Sequence, residues 1–557
     1  MPKGIPWELT LEDGRQLEGG AALEALPFGL HELSIAGSST DRSILISCPK
    51  QLPLPSRAWG VMLPLHALRS PRLGGLATTK DLTQAAEGFA QLGASFVGLN
   101  PIHAGFWGDA SGYSPYMPSH RRRLSSFFIP SNDDHGPTGD LLDYSVEVPR
   151  RRQALEAAYA AFDGDEDFTA FKSHEGEPLH RFALHQALSD QHGPFWTSWP
   201  SELQEPAGQA ARGASEELAP EVDFHCWLQW KAEDALRDAQ RSMQTAGMAT
   251  GLFLDLAVGT HPAGAETWED RDTFAYGVSL GAPPDAFAAD GQAWGLAPFN
   301  PISLIVKSFR PLAETLERQF RFAGALRIDH ILGFDRTFWV PESGEPGAYV
   351  RMPRDAMLAV ARLAAARAGA FIVGEDLGNV PRGLRPALEA AGLLGCQLQL
   401  FERDRSDRSA FKRPDDFPER SMASFSTHDL PTWMGWRQSH DIRSHQRLGH
   451  IDEVEAAAAC EERRQDVTAF DAMTSAHMAG TVDVANVDTM HSALASTRSA
   501  LVLLQIENLL EITPQPNLPG TSTQYPNWRQ RLPEPPAALA HHNGVRRAAS
   551  IMARSGR

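Results

Sequence analysis

Four apolar runs in this chain end in acidic residues. GLFLD ends in Asp255, LRIDH in Asp329 and His330, FIVGED in Glu375 and Asp376, and SFSTHD in His428 and Asp429. Taken singly, each has an ordinary explanation. A lone Asp after an apolar strand commonly caps the next helix. Arg327 and Asp329, two residues apart and so on one strand face, could form a structural ion pair. The two histidines could be satisfied core residues. Taken jointly, the pattern is harder to assign to stability, because a buried carboxylate costs several kcal/mol unless it is paired or hydrogen-bonded.

Carboxylates and histidines also bind metals, but neither HExxH nor EF-hand spacing is present, and there is no P-loop and no GxGxxG. Carboxylates without such motifs suit glycoside chemistry. One acid protonates the leaving oxygen while a second carboxylate, about 5–5.5 Å away in retaining enzymes, attacks the anomeric carbon. The chain has 13 Trp against 7 Tyr, and sugar rings stack on such flat amphipathic faces. Trp107, Trp268, Trp294, Trp433, Trp436 and Trp528 fall near the expected cleft, with roughly half expected to be core instead.

These residues need a scaffold that brings several chain segments to one place. Apolar runs of strand length recur at 61–63, 95–99, 252–254, 325–328, 371–373, 398–401, 423–426 and 501–504, as expected for strands buried on both faces. Helical patterns separate several of them, at 228–247, ending in Gly247, and at 355–368, with Asp355 as N-cap. Eight strands alternating with helices predict an α/β fold, a (β/α)8 TIM barrel, whose C-terminal strand ends converge on one face. The expected organisation is a small β unit over 1–57 and a catalytic barrel over 58–532. Inserted subdomains are expected at about 101–250 and 430–500, and a C-terminal helix or solvated tail over 533–557.

The chain has 557 residues, 69 acidic and 51 basic, for a formal charge of −18. Hydrophobic residues make up 42%, an ordinary globular composition. A net acidic protein does not attract a phosphate backbone, so nucleic acid is not an expected partner. The cysteines at 48, 226, 396 and 460 are scattered, without CxxC spacing, which fits a reducing compartment. The opening residues MPKGIPWELTLEDGRQ lack an apolar leader core, and no stretch approaches 18 consecutive apolar residues. The expectation is a cytoplasmic protein without membrane contact.

Longer stretches resemble a known family. GLNPIHAGFWGDASGYSPYMPS (98–119), the 224–259 segment ending GLFLDLAVG, GAPPDAFAADGQAWGLAPFNP (281–301), LRIDHILGFDRTFWVPESGEPGAYVRMP (326–353), FIVGEDLGNVP (371–381), SFSTHDLPTWMGW (424–436) and QPNLPGTSTQYPNWRQR (515–531) are similar to the 4-α-glucanotransferases (amylomaltases, disproportionating enzymes) of glycoside hydrolase family 77, in the α-amylase clan. RIDHILGF and GAYVRMP are closest to the proteobacterial type. The resemblance implies a glycosyltransferase of carbohydrate metabolism that moves an α-1,4-glucan segment to the 4-hydroxyl of a maltooligosaccharide or glucose, without cofactor or metal.

It also implies roles. Asp329 would be the nucleophile, Glu375 the acid and then the base, and Asp429 a grip on sugar hydroxyls that stabilises the transition state. Arg327 would be the nucleophile's counter-charge. His330 and His428 would donate to the bound glucose, and Tyr116 would stack on its ring. Asp255, Gln292, Trp294 and Asn517 would line the channel. The pattern departs from the family at Ala293, where Asn is usual, at Arg437, where Trp is common, at 73–82, and at Phe127-Phe128, which replace Asn-Pro. The alternatives are a glucan hydrolase of the amylase clan and a non-catalytic glucan-binding protein.

Overall fold

The computed structural model describes residues 7–19, 25–35, 42–69, 75–109, 113–131, 139–284, 291–478 and 485–557. Parts of three stretches quoted above, at 73–74, 110–112 and 285–290, lie outside the described residues.

Eight strands pair in chain order, all in parallel: Ala58–Met62, Phe96–Gly98, Gly251–Leu256, Ala325–Ile328, Phe371–Gly374, Leu394–Leu398, Ser421–Ser424 and Leu501–Gln505. The last closes on the first, Leu501 opposite Ala58 through Gln505 opposite Met62. The chain is therefore a closed (β/α)8 barrel. Phe96, Phe253, Ala325, Val373, Leu394, Cys396, Met422, Leu501 and Leu503 form one buried cluster. Drawn from strands around the ring, it makes the barrel a packed core and not a pore. Strand parity then carries the chemistry: Phe253 and Asp255, Ala325, Arg327 and Asp329, and Val373 and Glu375 lie two apart, so each polar side chain sits above an inward apolar one.

The sixth strand is displaced from its expected position. It occupies Leu394–Leu398, and residues 399–401 form a turn that leaves Phe401 exposed. The run LLGCQLQLF carries its one glycine, Gly395, near the start, so no turn residue marks its end. Its start is fixed by Gly392, which closes the preceding helix Leu384–Ala391 at φ 83°. The helix expected over 228–247 is the second half of Ala219–Thr245. That expected over 355–368 is Arg354–Ala368, closed by Gly369 at φ 63°, with Pro353 and not Asp355 at its cap.

Between the second and third strands lie the hairpin His103–Ala104/His120–Leu124 and the helices Tyr144–Ala160, Glu166–His192, Gln209–Glu217 and Ala219–Thr245. The hairpin is tied down by a buried hydrogen bond between His120 and Glu269 at 2.7 Å and by two buried ion pairs, Arg121 with Glu266 at 2.9 Å and Arg123 with Glu175 at 2.8 Å. Helices Trp433–Arg437, His440–Arg447, Glu453–His477 and Val487–Ser496 fill the interval between the last two strands. Around the fourth strand stands an antiparallel sheet in the order Gln292–Ala293, Val278–Ala282, Arg336–Pro341, Ala348–Arg351. A separate antiparallel sheet, Trp7–Thr10, Gln16–Gly19, Gly29–Ile35 and Arg42–Ser47, precedes the barrel.

The C-terminal helix Asn543–Arg554 is not a solvated end. It buries Val545, Ala548, Ala549, Ile551 and Met552, and Arg557 donates to the carbonyls of Ala495, Thr497, Ser499 and Ala500. Its basic surface conceals an apolar stripe at helical spacing.

Candidate active site

The third and fourth strands deliver a charge relay. Arg327 reaches both oxygens of Asp255, at 2.8 and 2.7 Å, and its other terminal nitrogen lies 2.9 Å from Asp329 Oδ1. Asp255 is 3% exposed. Burial, with the negative charge of Asp329, pushes its pKa up against the pull of Arg327. Tyr116 donates its hydroxyl to Asp255 at 2.7 Å, and Asn100 donates to the Tyr116 oxygen at 3.3 Å. Arg327 thus holds two carboxylates. Arg327→Met is expected to leave buried Asp255 uncompensated and to lower stability by about 3–5 kcal/mol, read as a fall in the urea midpoint at unchanged slope.

The fifth strand delivers Glu375, 8% exposed. Its Oε2 accepts from the main-chain N–H of His330 at 2.8 Å, and its Oε1 from that of Leu377 at 2.9 Å. Burial dominates: with the repulsion of Asp329 it raises the carboxyl to about 7, against Arg327 and the two N–H donors. His330 stands in the left-handed region, φ 48° and ψ 56°, a costly conformation for a non-glycine residue. That conformation aims its N–H at Glu375. Its half-buried ring titrates lower than a free imidazole, because it is desolvated there, and meets Trp294 edge-on at 5.2 Å.

The seventh strand leads into His428 and Asp429. Asp429 Oδ1 accepts from Asn517 at 2.6 Å, and its Oδ2 lies 3.2 Å from His428 Nε2. Burial would raise the Asp429 carboxyl, but His428 and Asn517 hold it below the usual range. Tyr116 stacks on His428 at 4.7 Å, and Trp528 flanks both rings at 5.6 and 5.2 Å. Asn517 is fixed by its own N–H, bonded to the His428 carbonyl at 3.1 Å.

One cavity of about 590 Å³ gathers these groups. Of the residues singled out from the sequence, Tyr116, Gln292, Trp294, Asp329, His330, Glu375, His428, Asp429 and Asn517 line it. Asp255 and Arg327 sit beneath, touching Tyr116 and Asp329. Trp294 and Trp528 line it too, whereas Trp268, Trp433 and Trp436 are core and Trp107 packs on Phe127 at 4.9 Å. Sequence reasoning missed Asn100, Tyr113 and Tyr144. Asn100 follows an apolar run just as the acids do, so a search for any polar run end would have found it. Tyr144 begins a helix far along the chain; its hydroxyl donates to the Trp528 carbonyl at 2.7 Å, and its ring meets Tyr113 at 4.4 Å. No local signal marks it. Among the described residues, no three His, Cys, Asp or Glu side chains converge as metal ligands.

The arrangement is a polar, aromatic-walled cavity with one carboxyl near 7, a second ion-paired with arginine and a third held by histidine and asparagine. The family model described as glycoside hydrolase family 77, 4-alpha-glucanotransferase, matches residues 63–537. The 4-alpha-glucanotransferase of Mycobacterium tuberculosis strain H37Rv is 34% identical over 97% of this chain and 81% of its own length. That of Haemophilus influenzae is 29% identical over 94% and 83%. Among solved structures, amylomaltase from Corynebacterium glutamicum superposes with a TM-score of 0.85 at 26% identity, covering 99% of this chain and 87% of that one. Amylomaltase from Streptococcus agalactiae in complex with acarbose shares the fold at a TM-score of 0.75 and 18% identity, over 90% and 99%.

Proposed function

Because the chain belongs to glycoside hydrolase family 77, the 4-alpha-glucanotransferases, we propose that its transfer runs through a covalent glucosyl-enzyme on Asp329 with Glu375 as the proton carrier. Asp329 attacks the anomeric carbon of an α-1,4-glucan. The bond to the leaving oxygen breaks as Glu375 gives that oxygen its proton. The shortened glucan leaves and an acceptor glucan, maltooligosaccharide or glucose enters. Glu375, now ionised, takes the proton of the acceptor 4-hydroxyl, whose oxygen displaces Asp329 and restores the α-linkage.

The observation that carries this reading is the difference between two carboxyls in one cavity: Asp329 ion-paired with Arg327, and Glu375 raised to about 7. A group near neutrality can both give and take a proton in one cycle. Asp429, with His428 and Asn517, would grip the sugar hydroxyls on the donor side, over the Tyr116 ring. Gln292 and Trp294 would line the acceptor side.

On this reading residues 58–532 are the catalytic unit, flanked in sequence by 1–57 and 533–557. No helix among the described residues is long and apolar enough to cross a membrane. The four cysteines are unpaired, which supports a cytoplasmic setting.

Transfer exceeds hydrolysis only where an acceptor sugar outcompetes water, which needs a shielded groove. Incubation with maltotriose tests this. A ladder of longer oligosaccharides with free glucose is expected by chromatography. A steady rise in reducing ends without longer products would make the protein a hydrolase, and no turnover would make it a binding protein.

A further inference from the structure

Outside the catalytic cavity, one cluster has the chemistry of a sugar platform. Tyr349 lies on the edge strand Ala348–Arg351 and is 38% exposed. Its ring is braced on two sides. The Arg336 guanidinium lies over it at 3.9 Å, and Phe338, its cross-strand partner, meets it edge-on at 5.1 Å. Its hydroxyl accepts from Asn379 Nδ2 at 3.3 Å, and the Asn379 carbonyl accepts from Arg336 at 3.5 Å. Asn379 is exposed and lies four residues after Glu375 in the same segment. None of these residues lines the cavity.

Stability does not account for the facing arginines of this cluster. Arg336 and Arg351 are directly opposite across the two strands, and facing like charges are destabilising. Neither has an acidic partner among the described residues, and Arg336 Nε is buried without a hydrogen-bond partner. A held aromatic ring, 38% exposed, with a guanidinium over one face and an amide donor at its hydroxyl, is a surface for a hydroxyl-rich, flat-faced ligand. Because the ring is already fixed, binding loses little rotamer freedom.

We propose that Tyr349, Arg336 and Asn379 form a remote subsite for the α-1,4-glucan chain, entered by a chain that extends beyond the Glu375 loop. The proposal rests on the transfer reading above. It makes the enzyme sensitive to chain length: a substrate that spans the cavity and the platform gains the extra contact, and a short one does not.

The test is steady-state kinetics of Tyr349→Ala, Asn379→Ala and Tyr349→Phe with maltotriose and with long amylose. Tyr349→Ala is expected to raise KM for amylose about fivefold, the loss of one stacking contact. It should leave kcat and KM for maltotriose unchanged. Asn379→Ala should raise only the amylose KM, by about twofold, and Tyr349→Phe should behave as wild type on both substrates. Equal effects on both substrates, or none on either, would overturn the subsite. Failure of the wild type to disproportionate maltotriose would instead overturn the transfer reading on which it rests.

Discussion

Asp329→Asn is expected to lower kcat for glucan transfer by about 10⁴-fold or more, the scale seen when a nucleophile is lost from a covalent mechanism. The amide fills the same space and keeps a hydrogen-bonding contact with Arg327, but it lacks the charge to attack the anomeric carbon. Binding should survive, because the cavity walls are untouched. Maltooligosaccharide affinity by calorimetry should therefore stay within a few-fold of wild type. Mass spectrometry should show a trapped adduct with a slow fluorinated donor in the wild type and none in the variant. Glucan processing at the original rate would remove Asp329 from the mechanism.

Glu375→Gln is expected to cost about 10³-fold in kcat, within the range for loss of a general acid and base. The raised carboxyl gives this prediction a second readout. Glu375 must carry its proton to protonate the leaving oxygen, and its pKa is about 7. Wild-type kcat/KM should therefore fall as pH rises through about 7, each unit above it costing about tenfold. In the variant that basic limb should vanish. A donor whose leaving group needs no proton, such as a glucosyl fluoride, should restore the first step in Glu375→Gln but not in Asp329→Asn. A basic limb that persists in the variant would assign the titration to another group.

The barrel was legible because parallel strands buried on both faces leave contiguous apolar runs. All eight runs lie in or beside a barrel strand; the first and seventh overlap theirs by two residues, and the sixth by one, where no turn residue marks the end of LLGCQLQLF. The carboxylates proposed as catalytic were legible for a related reason: a charged residue that closes such a run has few structural uses. What could not be read is the layer that holds them. The left-handed turn at His330, which brings a main-chain N–H to Glu375, has no glycine at that position to mark it in the sequence. Tyr144 meets Trp528 from a segment 384 positions away, with no local signal to mark it. Trp528 itself has φ 59°, a conformation that tryptophan does not advertise.

The peptide backbone around His330 also constrains redesign. Three links join the end of the fourth strand to Glu375: His330 N–H to its carboxylate at 2.8 Å, Ile331 N–H to its carbonyl at 3.0 Å, and its own N–H to the Ile328 carbonyl at 3.0 Å. Two of these ties run from main chain to main chain, so no side-chain substitution removes them. An engineer can trim the rim to change which saccharides are joined. Moving the two strand ends apart would mean breaking those ties, which no change at the rim does.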